Sequence, residues 1–145
     1  MARELATIGY EAQTQGEVIE RLKTAGVEIV IDVRAVAASR RAGFSKTLLG
    51  ASLRDAGIDY LHLRALGTPK PGRDAARKGH IGEMTAIYEE HLTESAAQLA
   101  LSEATEVASE RRAALLCYEA DAAGCHRRIV ANLIRERIGV EVVDL

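Results

Sequence analysis

Short apolar runs at Leu5–Ile8, Glu28–Val33, Asp59–Leu63, Ala113–Tyr118 and Val140–Asp144 alternate with longer stretches in which apolar residues recur every three or four positions. The first kind of pattern predicts buried strands, the second amphipathic helices. Helices are expected at Thr14–Ala25, Lys46–Ala56, Glu83–Leu92, Glu94–Arg111 and Cys125–Ile138. Thr14 and Glu17 have the spacing of a capping box, in which each side chain satisfies a backbone N–H at the other's position. Gly26 suits the left-handed residue just past a helix end.

One unit occurs three times: a helix end, a glycine, a β-branched residue and a short strand, as LKTAGVEIVIDV, LRDAGIDYLHL and IRERIGVEVVDL. Helix, glycine and strand in repetition are the grammar of an α/β layer. Unequal spacing between the copies argues against a solenoid. The expectation is a single three-layer domain over residues 1–145, with a mostly parallel sheet of about five strands flanked by helices. Two connections are long, 34–45 and 64–82. Both follow strands, so in a parallel sheet both leave the carboxyl edge, where open α/β folds place their ligands.

Composition adds constraints on the core and on partners. Aromatics make up 3% with no Trp, so the core must be built from Ala, Val, Ile and Leu. No stretch has the length of a membrane span, and the N-terminus lacks the pattern of a secretion signal. A cytoplasmic protein with no membrane partner is expected, and its two cysteines should then be free thiols rather than a disulfide. The net charge is −2, yet positive charge gathers at one edge. Residues 34–45 carry Arg34, Arg40 and Arg41 without an acid, and Lys46 follows. Residues 64–82 carry Arg64, Lys70, Arg73, Arg77 and Lys78 against Asp74. The acidic Glu89–Glu110 stretch reads as a solvated outer layer.

The stretch from Ala113 to Ile138 holds both cysteines and reads as strand, loop, helix. Cys125, His126 and Arg127 fall where the helix begins, a place with unpaired N–H groups and partial positive charge that favours anions and thiolates. With these residues in view, the chain resembles the domain of unknown function 488 family nearly end to end. Thr7-Ile8-Gly9-Tyr10-Glu11 resembles its opening motif and Ile31-Asp32-Val33-Arg34 its second strand. Ser39-Arg40 and Gly43-Phe44-Ser45-Lys46 are similar to the loop and helix start that follow. Tyr60, His62, Leu66-Gly67 and Pro69-Lys70 resemble the third strand and its loop. Cys117-x-Glu119 and Cys125-His126-Arg127 resemble the closing signature. The resemblance implies an α/β fold with a polar cleft and supplies no reaction.

Arginine forks and helix amides suit phosphate by charge and geometry together. Arg34, Arg40, Lys46, Lys70, Arg73 and Arg127, with Tyr10, Asp32 and Ser39 beside them, form the candidate ligand set. The plainer reading makes these arginines solvated groups or partners of Asp32 and Glu119 in structural ion pairs. For catalysis the candidates are Glu119 and His126 as an acid–base pair, with Cys125 as a nucleophile. Neither cysteine has the Cys-x5-Arg spacing of tyrosine phosphatases, since Ala123 and Ala131 stand at the required positions. A metal site is not expected, because the cysteines lie eight apart and Cys117 belongs to a strand and so to the core. No cofactor is expected. The leading expectation is an enzyme that hydrolyses or transfers on a small phosphorylated or nucleotide ligand. The alternative is a noncatalytic module for nucleic acid or a phospholigand, against which stands the shortage of aromatics for stacking bases.

Overall fold

The computed structural model describes residues 3–145. Its elements are β1 (Glu4–Gly9), α1 (Gln15–Thr24), β2 (Ile29–Asp32), α2 (Lys46–Asp55), β3 (Asp59–His62), α3 (Lys70–Arg77), α4 (Ile81–His91), α5 (Ser95–Glu110), β4 (Ala113–Cys117), α6 (His126–Ile138) and β5 (Glu141–Asp144). The five strands form one sheet, all neighbours parallel, in the order β3-β2-β4-β1-β5. The α/β class and the parallel sheet are therefore as the hydropathy pattern predicts. The capping box forms, with Glu17 N donating to Thr14 Oγ1 and Thr14 N to Glu17 Oε1. Gly26 is left-handed at φ 71°.

Chain direction across the sheet explains its two layers. From β1 to β2 to β3 the chain steps one way, and α1 and α2 cover one face; on the return through β4 to β5, α3–α6 cover the other. This reversal of faces is what right-handed crossovers require. Alternation within each strand then sorts the apolar residues. Ala6, Ile8, Val30, Ala114 and Leu116 pack with Val18 and Leu22 of α1 and Leu49 and Leu53 of α2. Leu5, Ile29, Ile31, Leu115 and Cys117 pack with Met84 and Tyr88 of α4, Leu101 of α5 and Val130 and Ile134 of α6.

Two expectations need correction. The 64–82 connection is not a long loop: it contains a 3₁₀ turn at Arg64–Leu66 and the whole of α3, and α4 starts at Ile81 rather than Glu83. The helix α3 has no apolar stripe to find, since it buries only Gly72 and Ala75. Its Pro71 lies in the first turn, where proline's missing N–H does no harm. Nor is the acidic stretch merely an outer layer. The helix α5 presents Ala97, Ala100, Leu101, Ala104 and Ala108 to the core, and its acids occupy the opposite side.

At the carboxyl edge Gly9 of β1 pairs with Cys117, and Asp32 pairs with Leu116 on one side and His62 on the other. The Gly9 position admits no side chain, because a Cβ there would overlap the carbonyl of Glu119 and approach the Arg127 guanidinium. Replacing Gly9 by Ala should therefore destabilise the protein by about 1–3 kcal/mol in urea unfolding. Gly16→Ala, in the first turn of α1 with nothing within 4 Å of the new methyl, should be neutral or stabilising by up to about 1 kcal/mol.

Candidate functional site

Two clusters of polar side chains stand at the carboxyl edge, one on each face of the sheet. On the α1/α2 face, the fully buried Asp32 is met by Arg34, two residues further along the strand direction. The Arg34 Nε donates to both carboxylate oxygens at 2.9 and 3.1 Å, and Nη2 donates to Oδ2 at 2.7 Å. Its Nη1 donates to Tyr10 Oη at 2.9 Å and to the Phe44 carbonyl at 2.8 Å. Tyr60 Oη adds a 2.5 Å bond to Asp32 Oδ2, and the Tyr10 ring stacks on Phe44 at 4.2 Å between centroids. Burial alone would lower the Arg34 pKa, but the bonds and charge of Asp32 reverse that and raise it. Burial, reinforced by the Asp32 carboxylate, raises the Tyr60 pKa as well.

On the other face the sulfurs dominate. Cys117 ends β4 and points at the start of α6, where Cys125 is the N-cap residue. The two sulfurs are paired across a Cα–Cα distance of 7.6 Å, so the expectation of two free thiols is corrected. Strand alternation aims Cys117 at the very turn from which Cys125 projects. Cys125 Sγ also accepts the Arg127 backbone N–H at 3.5 Å. His126 Nε2 lies 2.6 Å from the Val33 carbonyl, which can only accept, so this nitrogen carries the proton. The bare Nδ1 of the neutral ring then faces Cys125 Sγ at 3.6 Å. Burial, first of all, pushes the His126 pKa down to about 4.

Arg127 is fully buried. Its Nη1 donates to Cys117 Sγ at 2.9 Å and to the Glu119 carbonyl, and its Nη2 to the Ala120 carbonyl at 3.2 Å. No carboxylate is among these acceptors, and Nε has no hydrogen-bond partner among the described residues. Burial lowers the Arg127 pKa, against the attraction of Asp144, Glu119 and Asp121. Glu119 Oε2 lies 3.4 Å from Cys117 Sγ, and burial raises its pKa.

Between the clusters opens a cavity of about 700 Å³. Of the residues singled out from sequence, Tyr10, Arg34, Ser39, Arg40, Arg73, Glu119, Cys125 and His126 line it. Arg73 donates to the Thr68 carbonyl at 2.9 Å, while Arg40 is exposed and has no hydrogen-bond or ion-pair partner among the described residues. Lys46 borders a shallower neighbouring depression with His62 and Arg64. Lys70 is held by Asp74 at 3.2 Å on the surface of α3. Asp32 and Arg127 lie behind the cavity wall. Thr68 and Tyr118 also line the cavity and were not foreseen, Arg77 was placed at the basic edge but left out of the ligand set, and Cys117, expected in the core, lines it too. The spacing of Cys117 and Glu119, which puts sulfur and carboxylate on one face, is the sequence signal that joins Cys117 to this wall.

Cys117, Glu119 and Cys125 bring three ligand atoms within 4.8 Å of one another, a set able to hold a metal ion. A structural zinc site takes four such ligands, and here a guanidinium already occupies the Cys117 sulfur. No helix among the described residues is long and apolar enough to cross a membrane.

A family model described as "Domain of unknown function DUF488" matches residues 14–134. No curated protein and no solved structure matches the chain.

Because Arg34 neutralises a carboxylate with no access to water, Arg34→Ala should cost about 3–5 kcal/mol of stability in chemical denaturation. Asp32→Leu combined with Arg34→Met should recover most of that loss. His126 generates a pH dependence whose sign is set by its lowered pKa. Between about pH 6.5 and about pH 4 the unfolded chain binds a proton there that the folded chain refuses. Stability should thus fall as the pH drops through this window, by on the order of 3 kcal/mol, with Glu119 opposing in its own range. In His126→Gln, which keeps an N–H for the Val33 carbonyl, denaturant melts across the same window should lose most of that slope.

Proposed function

The chain belongs to the family described as Domain of unknown function DUF488, a description without an activity, and from its site we propose that it binds a small phosphorylated or nucleotide-like ligand in the carboxyl-edge cavity. The observation that carries this reading is Arg40, an unpartnered guanidinium on the cavity rim. A cation without a partner beside a concave surface gains most from an anion brought to it. Arg73 and Arg77 line the same cavity, and the N-terminus of α6 opens on it through Cys125 and His126. Arg34 serves differently: four of its five N–H groups are committed to Asp32, Tyr10 and Phe44. It braces the wall that the ligand touches.

Proton transfer in a hydrolysis or transfer reaction falls to Glu119 and His126 in unequal roles. Glu119 lines the cavity with a raised pKa, so it holds a proton at a higher pH than an ordinary carboxyl and can donate it. His126 stays neutral above about pH 4, and its one open acceptor, Nδ1, faces Cys125, from which it can take a proton only while that sulfur is a reduced thiol.

Isothermal titration with inorganic phosphate, nucleoside monophosphates and a short single-stranded oligonucleotide, at low and high salt, tests the binding. One of the small phosphorylated compounds should bind, and Arg40→Ala should weaken it about tenfold or more, with the melting temperature of the free protein unchanged. Binding confined to the oligonucleotide and abolished by salt would instead identify a nucleic-acid module. No binding by any probe would leave the basic rim a solvated surface.

A further inference from the structure

The proposed ligand site leaves unexplained why two sulfurs and a buried guanidinium lie against its wall. Arg127 is fully buried, and a buried charge requires a counter-charge. Its donors reach two carbonyl oxygens and the sulfur of Cys117. Asp144, Glu119 and Asp121 attract the guanidinium, but of the groups its donors contact only the Cys117 sulfur can take up a charge, as a thiolate once the pair is reduced. The second sulfur is activated separately, by the Arg127 amide at the first turn of α6 and by the bare Nδ1 of His126. Both sulfurs are in contact with each other and both line the cavity.

We propose that Cys117 and Cys125 are a redox-active pair that performs thiol–disulfide exchange with a small disulfide admitted to the cavity. In the reduced protein the Cys117 thiolate, held by Arg127, attacks one sulfur of the disulfide RSSR. A Cys117–SR bond forms, the S–S bond of the reagent breaks, and one thiolate RS⁻ leaves. Cys125 then gives up its proton and attacks Cys117 Sγ. The Cys117–Cys125 bond forms and the second RS group leaves, taking the proton as RSH. The sum is Cys117–S⁻ + Cys125–SH + RSSR → Cys117–S–S–Cys125 + RS⁻ + RSH. Two electrons pass from the protein to the reagent, and the same steps run in reverse when a thiol is in excess. Glu119, whose carboxyl lies 3.4 Å from Cys117 Sγ, is the group placed to keep a proton near that sulfur as its charge changes. This activity does not depend on which anion the cavity takes.

The test uses the reduced full chain with two probes, the anionic oxidised glutathione and the neutral hydroxyethyl disulfide, quenched with acid and read by intact mass and peptide mapping. Wild type should lose two hydrogens, retain no adduct and release two thiols per chain. Cys125→Ser should stop at a single mixed disulfide on Cys117. Cys117→Ser should react about tenfold or more slowly, because its remaining thiol lacks the guanidinium. Circular dichroism of both variants checks that each is folded. Equal and slow rates in the two folded variants would overturn the proposal, as would two alkylatable thiols surviving in treated wild type. Stoichiometric zinc uptake by the reduced protein that blocks exchange would overturn it too, in favour of a metal site on Cys117, Glu119 and Cys125. Equal rates for the anionic and the neutral probe would support the exchange while removing any help from Arg40, so failure of the anion reading is distinguishable from failure of this one.

Discussion

The arrangement depends first on one ion pair placed where water cannot reach it. Asp32 sits at the end of a central strand, and its charge is tolerable only because the Arg34 guanidinium, the Arg34 amide and the Tyr60 hydroxyl all point at it. Once Arg34 is held that way, its other nitrogen can reach only the Tyr10 hydroxyl and the Phe44 carbonyl. The end of β1, the end of β2, the side of β3 and the loop before α2 are thereby tied to a single ion pair. Removing water from such a pair is costly. What is obtained in return is geometric: four segments far apart in the chain must come together at one point of the sheet edge, and the cavity exists because they do.

A second guanidinium obeys the same rule with a different partner. Arg127 is as buried as Arg34, but it meets sulfur and carbonyl oxygen where Arg34 meets a carboxylate. The charge of a carboxylate is permanent at neutral pH, whereas that of a sulfur depends on its protonation and oxidation. One face of the edge is therefore electrostatically settled, and the other is poised.

Much of this was legible in the sequence, and the limits have physical reasons. Strands and the longer helices follow from period and from glycine placement, as at Gly26. The candidate ligand residues came from a simple asymmetry, loops rich in arginine without compensating acids. The helix α3 was invisible because its faces are nearly all polar and its packing rests on Gly72 and Ala75. The split roles of the arginines were invisible for another reason. Arg34, Arg40 and Arg127 are the same residue type in similar local settings, and only the three-dimensional positions of Asp32, Cys117 and open solvent distinguish a carboxylate partner, a sulfur partner and a rim cation. The pairing of Cys117 with Cys125 was half legible: alternation gave the face of the strand, but not the height at which α6 begins.

The cavity draws its two kinds of chemistry from parts of the chain with different mechanical character. Its sulfurs, with Glu119 and His126, stand on or beside β4 and α6, whose positions are set by the parallel ladder and the core. Its rim cation, Arg40, stands on the connection between β2 and α2, and Arg73 and Arg77 stand on the small helix α3, which buries little. Connections tolerate insertion and exchange far better than a sheet does. Changes in the 34–45 and 64–82 segments would accordingly reshape the rim of the cavity while the sulfur-bearing floor stays in register, so that the two parts of its wall can vary independently.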